Sequence, residues 1–243
     1  GALIYYNVKE EGDSPVNIEI SNAQGIFVRG YSSDSTMAKE YQTTKLMDKA
    51  GMHRINWDLT FEGPTFGDGA VIWGYKGGVK APPGIYNVTM TYGDQTITQK
   101  LEVKPDPRLK DMDQTEYEAQ LKTGLEIRDA ITNMHSKIQE IRDIKEQISW
   151  VSKRASDKEI EDLATKLNEE LNAFENQLMQ TKNESNQDPI RFAPRLDNQM
   201  VELYNYVTGE DGYISGGAEG KPKKAAMDRK EVIDRSEEHT SEL

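Results

Sequence analysis

The spacing of apolar residues changes once along this chain, and that change constrains the fold more than any other feature. Before residue 104, apolar residues recur at every second position, as in Val16, Ile18 and Ile20, which is the period of a half-buried β-strand. From about residue 115 they recur at three- and four-residue spacing, which is typical of an amphipathic helix. Prolines in the intervening run KPDPR (104–108) disfavour helix. The sequence predicts a β-domain over 1–105, a Pro-rich hinge over 106–112 and a helical segment over 113–234.

Turn signals divide the β-region into short strands with no helical pattern between them. NAQG (22–25) separates a strand at 16–20 from one at 26–28, PPG (82–84) opens another, and GD (93–94) leads into the last, at 97–103. A strand at 55–59 places Trp57 in the core. This arrangement is typical of a β-sandwich. We expect the polar stretch 32–50 and the Gly-rich stretch 62–81 to be long surface loops.

The helical segment divides into three helices and the start of a fourth. One is expected over 115–153, one after a capping box formed by Ser156 and Glu159, one over 194–207 and one beginning at 221–234. The first two would form an antiparallel hairpin whose apolar stripes two helices cannot cover. We expect the 194–207 helix, the 221–234 helix or further sequence to complete this truncated bundle.

Charge and composition exclude several classes of function. The net charge of −12 argues against binding nucleic acid or anionic membrane surfaces. The absence of cysteine excludes disulfides, thiolate catalysis and Cys-based zinc sites. No apolar run approaches the roughly 18–20 residues of a membrane-spanning helix, so no membrane insertion is predicted.

No catalytic, cofactor-binding or metal-binding residue is predicted. Of the three histidines, His239 lies in an anomalous C-terminal run, and His53 and His135 have no histidine partner at ligand spacing, so both are expected at the surface or at the core boundary. The acids crowd the helices, where they typically form solvated faces. The glycines of the loop match no phosphate-binding pattern.

Trp73 and Tyr75 lie in the Gly-rich loop, where no packing period explains them. Such aromatic residues could dock on a neighbouring domain, pack locally or stack on sugar rings. They are the only candidate contact residues in the chain.

Several short motifs, taken in order, resemble one family. The runs HRINWDL (53–59), PGIYNV (83–88), KPDPR (104–108), DPIRF (188–192), PRL (194–196) and GEDG (209–212) are similar to the C-terminal portion of bacterial BNR-repeat proteins with sortilin-like β-propellers, often labelled glycosyl hydrolases. The resemblance implies an Ig-like β-sandwich followed by helices, export to the periplasm or cell exterior, and an upstream propeller as partner. It transfers no active site, because the propeller residues are not in this chain.

Both ends of the chain suggest a fragment. The chain begins at Gly1 without a signal peptide, and the last nine residues, RSEEHTSEL (235–243), match the translation of a common sequencing adapter. We therefore predict that 235–243 are an artefact. The leading hypothesis is a non-catalytic module that packs on the propeller; a polysaccharide-binding module is second and an enzyme in its own right third.

Overall fold

The computed structural model describes residues 1–107, 113–155 and 157–208. Antiparallel β-sheets precede helices, as the change of period predicts. The chain divides into two compact units. One contains Gly1–Gly63 and Gly77–Lys122, and the other contains Pro64–Lys76 and the chain from Thr123 onwards. The middle of the Gly-rich stretch, 64–76, which we call the Gly-rich loop, therefore belongs to the helical unit, whereas its two ends belong to the β-unit.

The described residues of the β-unit form six strands in two sheets. Strands β1 (Ala2–Val8) and β4 (Gly51–Trp57) pair antiparallel, with Ala2 opposite Trp57. The larger sheet has the order β3-β2-β5-β6, all antiparallel. Its strands are β2 (Val16–Asn22), β3 (Phe27–Ser32), β5 (Gly84–Tyr92) and β6 (Gln95–Val103).

Trp57 lies in the core of the β-unit, as its alternation with apolar neighbours predicts. Its side chain is fully buried, and its ring contacts the Tyr86 ring edge-on at 5.2 Å. Its indole Nε1 donates a hydrogen bond to the Thr60 carbonyl (3.0 Å), which satisfies the one polar atom of this ring. Because Trp57 belongs to the small sheet and Tyr86 to the large one, the two sheets share this core.

The hairpin between β2 and β3 shows why the NAQG run turns the chain. The Asn22 side-chain oxygen accepts hydrogen bonds from the amides of Gln24 and Ile26 (3.0 and 2.9 Å). Gly25 has φ +82°, which a residue without Cβ adopts at little cost. The predicted turn is therefore correct.

Two details of the β-unit differ from the sequence prediction. Helix α1 (Ser35–Glu40) lies within the stretch 32–50 that was expected to be loop; Asp34 caps it by accepting from the amides of Thr36 and Met37. Such a short helix carries too few residues to show a period. Strand β4 ends at Trp57 rather than at Leu59, because Leu59 has φ +63° and leaves the extended conformation.

The three expected helices of the second half are confirmed within a residue or two. They are α2 (Gln114–Ser152), α3 (Lys158–Leu178) and α4 (Leu196–Thr208). Asp157 caps α3 by accepting from the Glu159 amide (2.9 Å), whereas Ser156, the expected cap, lies outside the described residues. A short 3-10 helix, Asp188–Ile190, precedes α4.

The helical unit buries only part of its apolar stripes. Five side chains in the middle of α2 are fully buried: Ile127, Ile131, Met134, Ile138 and Ile141. Six others are exposed by 40% or more, and we call them the tip: Ile144, Trp150 and Val151 on α2, and Ile160, Leu163 and Leu167 on α3. At 1.5 Å per residue, α2 is about 58 Å long and α4 about 20 Å, so α4 reaches only part of α2.

Several expectations concern residues that the structure does not describe. The 221–234 helix start, the 235–243 artefact and residues 108–112 of the expected Pro-rich hinge lie outside the described residues. None of the described helices combines the length and the apolarity needed to cross a bilayer.

Candidate functional site

The Gly-rich loop 64–76 is attached to α4 by two asparagine side chains. The Asn198 Oδ1 accepts from the Trp73 amide (3.1 Å), while its Nδ2 donates to the Val71 carbonyl (3.1 Å). The Asn205 Oδ1 accepts from the Tyr75 amide (2.6 Å). An amide side chain carries both a donor and an acceptor, so it can replace the strand partner that loop backbone lacks. The backbone around both candidate aromatics is thereby held in place.

The two aromatic rings are themselves held by the helical unit. The Trp73 Nε1 donates to the Asn186 carbonyl (2.7 Å). The Tyr75 ring stacks on the Tyr204 ring, with centroids 6.0 Å apart and planes 19° apart. Even so, Trp73 remains 46% exposed and Tyr75 39% exposed. Both rings are thus oriented by the chain and still accessible to a partner.

Gly74, between the two aromatics, is required by space and by backbone conformation. Its φ is +128°, and a Cβ there would lie 2.6 Å from the Asn205 Nδ2 and 2.9 Å from a Val201 methyl carbon. The glycine lets the loop backbone approach α4 closely enough for the Asn205 hydrogen bond.

The beginning of the loop contacts α2. The Thr65 amide donates to the Thr132 Oγ1 (3.1 Å), and the Phe66 ring meets the His135 ring edge-on at 5.1 Å. The loop therefore contacts two helices of its own unit, α2 at its start and α4 at its end.

His135 is buried, so the expectation of a surface or boundary histidine is wrong for this residue. It is 2% exposed, and neither ring nitrogen has a hydrogen-bond partner among the described residues. Burial, with a smaller contribution from the Arg142 charge, lowers the pKa of His135 to about 4. The imidazole is neutral at pH 7 and acts as an apolar ring against Phe66. His53, in contrast, is half-buried, and its Nε2 lies 2.6 Å from the Lys49 carbonyl.

Asp197, which the sequence did not single out, is a buried carboxyl group in the first turn of α4. It is 1% exposed, and its Oδ2 has no partner within the described part of the chain, while Oδ1 accepts from the Asn198 amide (2.7 Å). Burial raises the pKa of Asp197 to about 6, against the opposing effect of that hydrogen bond. The carboxyl group is thus held in a costly environment next to Asn198, which anchors the loop.

A polar cavity of about 500 Å³ lies beside the loop within the helical unit. It is lined by Asp68, Gly69, Arg142, Lys145, Asn172, Glu175, Met179, Gln180, Thr181 and Asn183. Among these residues, the buried Glu175 carboxylate accepts from the Arg142 Nε and the Lys145 Nζ, both at 2.8 Å. Burial favours the neutral acid, but these two cations outweigh it and lower the pKa of Glu175. Arg142 also donates to the Asp68 carbonyl of the loop, so this group of charges is structural.

The described residues contain no group of three or more His, Asp or Glu side chains that could hold a metal ion. His135 is enclosed, and the Glu175 carboxylate is occupied by two cations. The arrangement is suited to presenting a contact surface, because the two oriented rings lie on a loop that is hydrogen-bonded to helices near both of its ends.

Trp73 and Tyr75, the predicted contact residues, lie together on one loop. Sequence reasoning missed the residues that hold them, above all Asn198 and Asn205. A signal was available, because the two asparagines are seven residues apart and so lie on the same face of α4, two turns from each other.

Comparisons of the chain with known protein families, with curated proteins and with solved structures give no match.

Proposed function

We propose that this chain is a non-catalytic accessory module that packs on, or extends, an upstream β-propeller of an exported bacterial protein, with the Trp73–Tyr75 face as its contact surface. The observation that carries the proposal is that both rings are fixed by the chain itself and yet are 46% and 39% exposed. Aromatic side chains that are oriented by the chain and remain exposed are typical of a surface that another molecule covers.

Preorganisation supports this use of the loop. Binding costs free energy whenever loops and side chains must be ordered, and rigid segments avoid most of that cost. Here the Asn198 and Asn205 side chains already hold the amides of Trp73 and Tyr75, and the Asn186 carbonyl fixes the indole. Trp and Tyr are also the residues most enriched at the centres of protein interfaces.

The finer description of the fold belongs to the same proposal. We propose that the β-unit is an Ig-like sandwich, since its two antiparallel sheets share the Trp57 core, and that the helices are part of a larger bundle. The resemblance of the sequence motifs to BNR-repeat proteins supports the propeller as partner and export as location.

A second candidate function is polysaccharide binding by the same loop. Exposed indole and phenol rings can stack on the apolar faces of sugar rings. The observation that favours it is the orientation of Trp73, whose Nε1 is bonded to Asn186 so that its ring is held while half exposed.

The test compares Trp73→Ala and Tyr75→Ala with Tyr5→Ala, an exposed aromatic of the β-unit. Binding of the full chain to the separately produced upstream region of the parent protein is measured by calorimetry. We expect each loop substitution to weaken binding about tenfold or more, as for an interface anchor, and Tyr5→Ala to leave it unchanged.

Equal affinity of all four proteins for the upstream region would refute the docking role. Retardation of the chain in polysaccharide gels, lost in Trp73→Ala but kept in Tyr5→Ala, would favour the sugar-binding function instead.

A further inference from the structure

The tip of the helical unit exposes more apolar surface than its packing explains. Leu163 is 66% exposed and Trp150 58%, and the other four tip residues lie between 40% and 48%. The three on α3 follow three- and four-residue spacing, and Ile144 and Val151 lie seven residues apart on one face of α2, as residues of a helix–helix interface do. A surface of this kind marks a place where another protein surface binds.

The two helices of the tip carry opposite charge. The end of α2, 147–154, has two basic and no acidic residues, and the α3 segment 158–170 has two basic and five acidic residues. This matters because the chain as a whole is strongly acidic, with a net charge of −12. A basic apolar surface and an acidic apolar surface therefore lie on neighbouring helices.

Lys153 and Arg154 form no ion pair with another described residue, whereas the two basic residues that precede this segment are already paired. Arg142 and Lys145 pair with Glu175, beyond the acidic segment, and Lys166 pairs with Glu170 of its own helix. Within the described residues no ion pair joins the 147–154 segment to the 158–170 segment. The Arg154 guanidinium lies over the Trp150 ring, 4.0 Å from its centroid, so this cation extends the tryptophan surface.

We propose that the tip is the interface of a homodimer, in which the basic α2 segment of each copy packs on the acidic α3 segment of the other. A two-fold interface makes each contact twice, so a chain with one basic and one acidic apolar surface is complementary to a second copy of itself. The apolar residues of the tip are buried in the centre, and Lys153 and Arg154 meet the partner's acids at the rim.

The dimer also accounts for the length of the helices. Helix α2 is three times as long as α4, and within the described part of the chain Ile144, Trp150 and Val151 of its final turns stay exposed. Packing two tips together forms a four-helix arrangement in which the exposed leucines and the tryptophan are covered.

The first test is the mass of the full chain in solution, measured by sedimentation velocity up to about 100 μM, a range that detects weak self-association. We expect twice the 27.5 kDa of one chain. The double variant Trp150→Ala/Leu163→Ala is expected to be monomeric. The matched control Tyr5→Ala/Ile26→Ala, which removes two equally exposed apolar side chains, is expected to remain dimeric. A monomeric wild-type chain, or a dimer that survives the tip substitutions, overturns the proposal.

The second test reverses the sign of surface charges, and its outcome does not depend on whether a substitution disturbs the folding of the tip. Lys153→Glu/Arg154→Glu and Glu161→Lys/Asp162→Lys are each expected to raise the dimer Kd about tenfold at moderate salt. An equimolar mixture of the two variants is expected to restore tight association as a heterodimer. Failure of the mixture to associate better than its components overturns the charge pairing.

A third variant tests whether another part of the chain covers the tip. Deletion of residues 209–243 is expected to leave the dimer unchanged. A chain that is monomeric at full length and becomes dimeric only after this deletion would show that its own C-terminal segment occupies the tip, which also overturns the proposal.

Discussion

The middle of helix α2 and its C-terminal end have the same kind of apolar stripe, but the first is buried and the second is exposed. Ile127, Ile131 and Ile138 are fully buried, whereas Ile144 is 42% exposed and Trp150 58% exposed. Both regions have the three- and four-residue spacing that identifies an amphipathic helix. The comparison shows that apolar spacing identifies the face of a helix that packs against another element. Whether the same chain covers that face depends on the length of the neighbouring elements.

The largest expected effect separates the two regions directly. Ile138→Ala removes three buried carbons and leaves a cavity, so it is expected to lower the free energy of unfolding by about 2–5 kcal/mol. Urea denaturation at a protein concentration where the chain is monomeric measures the loss.

Ile144→Ala, on the same helix, is the matched control. Because its side chain is already largely in water, the same substitution is expected to change the unfolding free energy by less than about 0.5 kcal/mol. Equal losses at both positions would mean that the middle and the end of α2 are covered alike, and the comparison would fail.

A second prediction concerns the cost of a polar group in the packed region. Asp197 has a folded pKa of about 6, compared with an ordinary value of 3.8, so the folded state binds more protons between these values and loses stability as pH rises through that window. Two units of pKa correspond to about 3 kcal/mol. Asp197→Asn removes this penalty but retains a buried polar atom. We therefore expect the free energy of unfolding to rise by about 1–2 kcal/mol at pH 7.5.

The gain should vanish below about pH 3, where the wild-type carboxyl group is protonated in both states. His135 provides a control with the opposite sign. Its folded pKa of about 4 lies below its usual 6.5, so the unfolded chain binds more protons in that window and stability is lost as pH falls. The stability of His135→Leu relative to wild type should therefore increase as pH falls from 6.5 to 4. A gain in Asp197→Asn that is independent of pH would show that burial does not raise this pKa.

The smallest expected effect concerns the loop. Asn198→Ala removes the acceptor of the Trp73 amide and the donor to the Val71 carbonyl. We expect it to lower the free energy of unfolding by about 1 kcal/mol. Hydrogen exchange at the Trp73 amide should become faster. Asn172→Ala, an exposed amide on α3, is the control and should change neither stability nor that exchange rate. An unchanged exchange rate in Asn198→Ala would show that the loop is held by other contacts.

Much of the fold followed from local patterns. The period of two predicted the strands around Val16 and Tyr86, and the period of three and four predicted α2, α3 and α4 within a residue or two. These signals are local, because they arise from the geometry of a single strand or helix. Helix α1 was missed because six residues are too few to show a period, and the end of β4 was missed because the positive φ of Leu59 is not indicated by its side chain.

The candidate site was only half visible in the sequence. Trp73 and Tyr75 stood out because no period explained them, but nothing local indicated that the loop would join the helical unit. That assignment depends on Asn198 and Asn205, more than a hundred residues further along the chain. Long-range hydrogen bonds of this kind leave only a weak signal, here two asparagines on one face of α4.

By itself, the sequence determined the order of β-structure and helices, the apolar face of each helix, and the acidic, cysteine-free character of the chain. The tertiary structure decided which polar groups are enclosed and which apolar groups are left in water. His135 and Asp197 are buried, and Trp150 and Leu163 are exposed, although residue type alone predicts the reverse. The physical reason is that burial depends on which neighbouring elements reach a position. The Gly-rich loop contacts the middle of α2 at Thr132 and His135, whereas the end of α2 carries exposed apolar side chains.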